Sequence, residues 1–435
     1  MKTNPEFKRN IWLEFTIPRI IGMPLVLFTA FFFIKISSKS GLESSAISSM
    51  IVFGMIVFLW GTRAAAESII TEIRDRTWDC QRMSAIGPWD MTLGKLFGST
   101  IYQWYGGFIC LLIYITSSKP AENVLKNVIL LTLCGIFSHG LGLLAGLLSI
   151  RKERRYNRGK GSALAVFAVL PVFPVLLKAY GDNISWYGHT YNNIDFIIGS
   201  LFFFTVWTIF GIYRLMRSEL QMRSTSLAWL LFVVFLIFYS AGFVNNADGS
   251  YTLTGRLTVS FLITVFSTYL MIFTERKYTV DYLRLIKSFK TGGCKNEMPC
   301  WMATLSVAFV AGCALLFADS SVMENVYKIK DFRALTVSFF FFLLRDIGII
   351  LYFNLSGNLK RADMAAMFSF IMLYIFIPGI LLLSHYNFIT IFFWPRYEYP
   401  FFGVVTVLIE VIVVYWILYR RWNATYGMND NYNNV

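Results

Sequence analysis

The sequence predicts an all-α, polytopic integral membrane protein with about twelve transmembrane helices, an N-terminal interfacial helix and both termini in the cytoplasm. Three observations predict it. Of 435 residues, 56% are apolar, 18% aromatic and only 15% charged, against about 25% charged in a soluble domain. Apolar runs recur at the length that crosses a hydrocarbon layer, about 20 residues each. The basic residues behind the net charge of +14 collect in alternate polar gaps, as Lys and Arg collect in cytoplasmic loops. The charge is therefore topological, and no nucleic acid is expected as a partner.

Residues 1–16 precede the first run. Phe7, Ile11, Trp12 and Phe15 recur at helical spacing opposite Lys8, Arg9 and Glu14. That pattern predicts an amphipathic helix lying in the cytoplasmic interface. No A-x-A-like site follows the first run, so no cleavable leader is expected.

Twelve apolar runs follow, at 17–36, 46–66, 92–115, 124–150, 161–180, 194–213, 227–244, 254–274, 299–317, 332–353, 364–384 and 401–420. Starting from a cytoplasmic N-terminus, the gaps expected inside hold Arg151 to Lys160, then Arg214, Arg217 and Arg223, then Arg276 to Lys295, then Lys360-Arg361 and Arg420-Arg421. The gaps expected outside, such as 181–193 and 384–400, are short and carry scattered cations. The localisation that follows is the cell (inner) membrane, multi-pass. The organisation expected is two six-span halves, 17–223 and 224–435. The first carries a cytoplasmic coupling segment at 67–91 and the second a similar segment at 275–298. Internal symmetry of this kind is common in transporters.

The six cysteines fall in apolar runs or expected cytoplasmic loops, so no disulfide is expected. Cys294 and Cys300 lack a nearby histidine and the spacing of a zinc site, so no metal is expected.

The segment 67–91 is the densest polar block. Arg63 and Glu67 stand one turn apart where the second run ends. Glu72 and Arg76 are four apart, and Asp79 and Arg82 three apart, spacings that pair on a helix surface. The second span should then run on as a helix until Gly87-Pro88 ends it, with Asp90 capping the third span. Intramembrane polar residues are functional candidates by default. Here they are His139, Arg345, Asp346 and Glu410. Neighbours on a helix do not face each other, so Arg345 and Asp346 should seek partners on other helices. Ser138, Gly142 and Gly146, and separately Gly94 and Gly98, set small residues at four-residue spacing, which lets helices approach closely. Pro171 and Pro174 should bend the fifth span.

The run Glu72, Thr77, Ser84, Trp89, Gly94-Lys95, and the opening Asn4-Pro5-Glu6-Phe7-Lys8-Arg9, resemble the corresponding stretches of ABC-2-type transporter permeases over about the first 115 residues. The chain departs from that pattern in having Arg76 where a Gly often precedes the Thr, and in Pro88 being displaced from the neighbourhood of Ser84. The family unit has six spans and dimerises, so twelve spans suggest a fused or enlarged form.

The resemblance implies the permease subunit of an exporter, not itself an enzyme, with no catalytic residues. A separate ABC ATPase would hold ATP and Mg and dock on Glu67, Glu72, Arg74, Asp75, Arg76, Thr77, Trp78, Asp79, Arg82, Pro88 and Trp89. Its partners would be that ATPase, the lipid bilayer and, unless the chain is already a fused pair, a second permease chain. The chain lacks G-x-x-x-x-G-K-[ST], so no cofactor is expected in it. Two other classes fit the composition. One is a multi-pass enzyme acting on lipid-linked substrates. The other is a proton-coupled carrier relaying through Glu410, His139 and Asp346. The cargo is not legible; abundant Phe is compatible with an amphiphilic one.

Overall fold

The computed structural model describes residues 4–37, 41–84, 86–118, 121–152, 183–220, 222, 227–244, 252–274, 298–319, 331–355, 359–386, 388–395 and 399–426. The fifth expected run with its two prolines, and residues 275–297 of the second expected coupling segment, lie outside these.

Among the described residues, nine helices are long and apolar enough to cross a membrane, and one bent pair qualifies if taken together. With the shorter apolar helix Leu227–Ala241, these elements carry eleven of the twelve expected runs. The chain is a multi-pass, helical membrane protein. It divides into two compact units, 1–184 with 190–224, and 185–189 with 225–435.

The first unit begins with α1 (Pro5–Glu14) and α2 (Ile17–Ser37). Next come α3 (Gly41–Phe53), a π-helical stretch (Gly54–Gly61) and α4 (Thr62–Arg74), which together give a span at Ser45–Arg74 of 30 residues. At 1.5 Å per residue that is about 45 Å, longer than a hydrocarbon core of about 30 Å. α5 (Trp78–Met83), α6 (Pro88–Gly98), α7 (Ile101–Ser117), α8 (Ala121–Lys152) and α9 (Asn193–Glu219) complete it.

Lipid is as apolar as leucine, so close backbone approach rather than hydrophobicity holds spans together. α8 uses Gly142 and Gly146 for this. A Cβ at either would collide with the backbone of Thr62 or Ala66 on α4. Leu143 and Leu147 on the same helix bury against Ile69, Ile212 and Met216.

The expected third span is not straight. α6 and α7 bend by 48° at Ser99–Thr100. Both hydroxyls turn back onto helix carbonyls, Ser99 Oγ to Lys95 at 2.6 Å and Thr100 Oγ1 to Leu96 at 2.8 Å. Such back-bonding bends helices.

The expected outer loop at 181–193 is more ordered than a loop. It contains strands β1 (Ile184–Trp186) and β2 (His189–Tyr191). Tyr187 at φ 48° and Gly188 at φ 81° form the tight turn, as a two-residue hairpin of the I′ type requires.

The second unit holds α10 (Leu227–Ala241), α11 (Thr252–Thr274), α12 (Cys300–Phe317), α13 (Phe332–Asn354) and α14 (Leu359–Ile371). A π-helical turn (Met372–Phe376), α15 (Ile377–Leu383), a 3₁₀ turn (Ile389–Phe392) and α16 (Pro400–Tyr426) follow. Its core gathers Ile272, Trp301, Leu343, Ile347 and Ile350. Gly348 lets α13 meet α16, where an added Cβ would strike Val414.

Candidate functional site

The expected coupling segment begins at a helix end. α4 stops at Arg74, thirteen residues before the expected break at Gly87-Pro88. Arg76 N–H donates to the Ile73 carbonyl at 3.2 Å and Thr77 N–H to the Glu72 carbonyl at 2.9 Å. That pair of bonds is a Schellman ending, whose C′ residue must be left-handed. Arg76 fills it at φ 59°. Glycine would sit there without Cβ strain. The expected Glu72–Arg76 pair cannot form, because Arg76 has left the helix.

Glu72 instead turns inward to a four-charge cluster. Its carboxylate accepts from Lys95 Nζ, from Arg9 Nη2 and from Gln81 Nε2 at 2.9 Å. Lys95 also reaches Glu6 Oε1 at 3.2 Å, and Arg9 bonds the same oxygen at 2.8 Å. Two cations thus meet two anions, with Lys95 and Glu6 each only 1% exposed. The Trp78 ring lies 5.5 Å from the Lys95 ammonium, a cation–π distance. The tie joins α1, α4 and α6.

α1 is set by its N-cap. Asn4 Oδ1 accepts from the Glu6 and Phe7 N–H groups at 3.0 and 3.1 Å, and its amide donates to the Asp90 carbonyl at 2.7 Å. α6 offers glycines to α1. A Cβ on Gly94 would strike Glu6, and one on Gly98 would strike Asn10. The helix therefore seats its polar face on protein, with Glu6 buried and Arg9 turned inward, while Trp12 is 86% exposed. Arg9 does not share an outer face with Lys8 as expected. Asp90 does not cap α6 either. Gly87 holds that position with Pro88 at N1, and Asp90 lies in the first turn.

Most of the other residues expected to couple are exposed. Arg74, Asp75, Arg76, Thr77 and Asp79 are exposed, and Met83 is 82% exposed. Arg74 bonds Asp75 at 2.9 Å, Arg82 lies 3.6 Å from Asp79, and Arg63 bonds Glu67 at 2.9 Å. Trp89 stacks on Tyr213 at 4.2 Å. Trp78 is buried; it belongs to the support and not to the outer face.

His139 lies inside the first unit. Its Nε2 is 2.8 Å from the Val57 carbonyl, which can only accept, so Nε2 carries the proton. The π-helical stretch supplies that carbonyl, and Gly61 leaves room where any Cβ would collide with the imidazole. The ring packs edge-on against Trp104 at 5.3 Å. This is a buried interhelical hydrogen bond.

In the second unit Arg345, Asp346 and Glu410 come together. Arg345 Nε and Nη2 both donate to Asp346 Oδ1 at 3.0 Å. The expectation that these neighbours would not face each other is therefore wrong, because the long guanidinium curls back onto Asp346. They also take partners from other elements. Arg345 Nη1 donates to Glu410 Oε2 at 2.7 Å, and Nη2 to the Tyr374 hydroxyl at 2.8 Å. Asp346 Oδ2 accepts from Tyr269 and Tyr374, each at 2.6 Å. The expected outer loop 384–400 also reaches in. The Phe392 carbonyl accepts from Arg345 at 3.4 Å, and Trp394 donates to the Tyr374 carbonyl at 2.9 Å. Tyr374 sits on the π-helical turn, a feature frequent at functional sites.

Among the described residues, no group of His, Cys, Asp and Glu could hold a metal ion. Gln81, Tyr269 and Tyr374 were not singled out in the sequence; Glu6, Arg9 and Lys95 were, but only as part of the permease-like stretches and not as site residues. Lys95, alone among the apolar residues opening the third run, was the available signal. The tyrosines carried none. No family model, curated protein or solved structure matches the chain.

Proposed function

We propose that this chain is the membrane-spanning subunit of an ATP-driven exporter in the cell inner membrane, moved by a separate ABC ATPase. The observation that carries the reading is the four-charge cluster. It draws together the opening Asn4 to Arg9 with Glu72 and Gly94-Lys95, the two ends of the later run, and these are the stretches that resemble ABC-2-type permeases. A push on the exposed face at Arg74–Asp79 would pass through Glu72 to α1 and α6 as one body, which is how rigid elements transmit movement. Twelve spans, both termini inside and two six-span halves belong to this reading. ATP and Mg would bind the partner, and the cargo is unassigned.

Co-purification tests it. A P-loop ATPase should come down with the chain, and Asp79→Lys should reduce the amount recovered at least tenfold without shifting the unfolding temperature. Transport that persists without any ATPase would overturn it.

A further inference from the structure

The cluster in the second unit is out of charge balance. One guanidinium, Arg345, faces two carboxylates, Asp346 and Glu410. Asp346 is fully served, accepting from Arg345, Tyr269 and Tyr374. Glu410 is not, since among the described residues Arg345 is its sole donor and binds only Oε2. Its position makes the imbalance costly. Glu410 lies ten residues into α16, about 15 Å along a helix, and so near the middle of a hydrocarbon core of about 30 Å. An uncompensated charge at that depth is paired, watered or neutralised.

We propose that Glu410 is a proton-binding site, exchanging a proton while Arg345 and Asp346 stay ionised as its fixed partner pair. The groups facing it are Arg345 and Asp346 from α13, with Tyr374 from the π-helical turn and Tyr269 from α11 one bond further on. Proton uptake moves H⁺ onto the Glu410 carboxylate, leaves the guanidinium to Asp346 and renders the cluster neutral. Proton release restores the full ion pair between α16 and α13. Glu410 is not sealed in protein: its side chain is 23% exposed, against 3% for Arg345, and that open side is where a proton would enter and leave. The site is independent of the ATPase reading, since the coupling surface lies wholly in the other unit.

The test uses the full chain in native membrane vesicles and dicyclohexylcarbodiimide, a lipid-soluble reagent that adds to protonated carboxyls. Mass spectrometry should place the adduct on Glu410 and not on Asp346. Its yield should fall about tenfold per pH unit on the alkaline side of the titration, as the acid form does. Infrared difference spectra should show a carboxylic-acid carbonyl band with the same pH dependence, shifted in Glu410→Asp and missing in Glu410→Gln. This band decides the matter where reagent access fails. A missing band, or one that ignores pH, would overturn the proposal. So would protection from the reagent by Na⁺ at constant pH, which would make the site one for a metal cation.

Discussion

Two buried charge clusters, one in each unit, solve the same problem differently. The cluster of Glu6, Arg9, Glu72 and Lys95 is balanced, two against two, and joins three helices from distant parts of the sequence. The cluster of Arg345, Asp346 and Glu410 carries one carboxylate too many and recruits two tyrosine hydroxyls instead of a second cation. Balance makes a fixed tie, because every charge is needed by another. Imbalance leaves one member free to change state. The first cluster suits force transmission, and the second suits a titration.

Charge deletion breaks or sharpens the contrast most strongly. Lys95→Met removes the buried cation shared by Glu6 and Glu72 and leaves both carboxylates to Arg9 alone. It should cost about 3–5 kcal/mol, the usual cost of removing one partner from a buried charge pair. Glu6→Gln together with Lys95→Met keeps Arg9 on Glu72 and should recover most of that loss. Thermal unfolding in detergent reads both. In the second unit Arg345→Met should cost a similar amount, whereas Glu410→Gln should cost under about 1 kcal/mol, because Asp346 retains the guanidinium. Equal costs for those two would erase the distinction between the clusters.

Steric and backbone changes come next. Gly61→Ala drives a methyl into His139 and should destabilise by about 1–3 kcal/mol, the range for overpacking, seen as a lower unfolding midpoint. Arg76→Gly removes a left-handed strain of about 1–2 kcal/mol against about 0.5–1 kcal/mol of added chain entropy, and should stabilise by up to about 1 kcal/mol. The smallest effect is expected at Arg63→Ala. Its partner Glu67 is on the surface, and exposed pairs are worth about 0–1 kcal/mol.

Much of the fold was legible because apolar length is a local property. The runs at 124–150, 194–213 and 332–353 fall on α8, α9 and α13. The Arg63–Glu67 and Asp79–Arg82 pairs were legible for the same reason, as both partners lie on one helix. The Glu72–Arg76 pair failed because spacing assumes an unbroken helix, and the break is written only in a left-handed residue that is not glycine. The bend at Ser99–Thr100 was likewise hidden, since it depends on which way two hydroxyls turn. Both clusters needed long-range partners. Glu6 and Lys95 are 89 positions apart, and Tyr269 and Asp346 are 77 apart. No periodicity reports contacts of that range.

On the proposed function, the surface after α4 faces the compartment where a separate ATPase would push it. The exposed native Cys80 on α5 provides the test without any substitution. A membrane-impermeant thiol reagent, with the adduct mapped to Cys80 by mass spectrometry, should label inside-out vesicles and spare intact cells, and an ATPase that co-purifies should protect the site. Labelling of Cys80 from outside intact cells would contradict both the topology and the mechanism built on it.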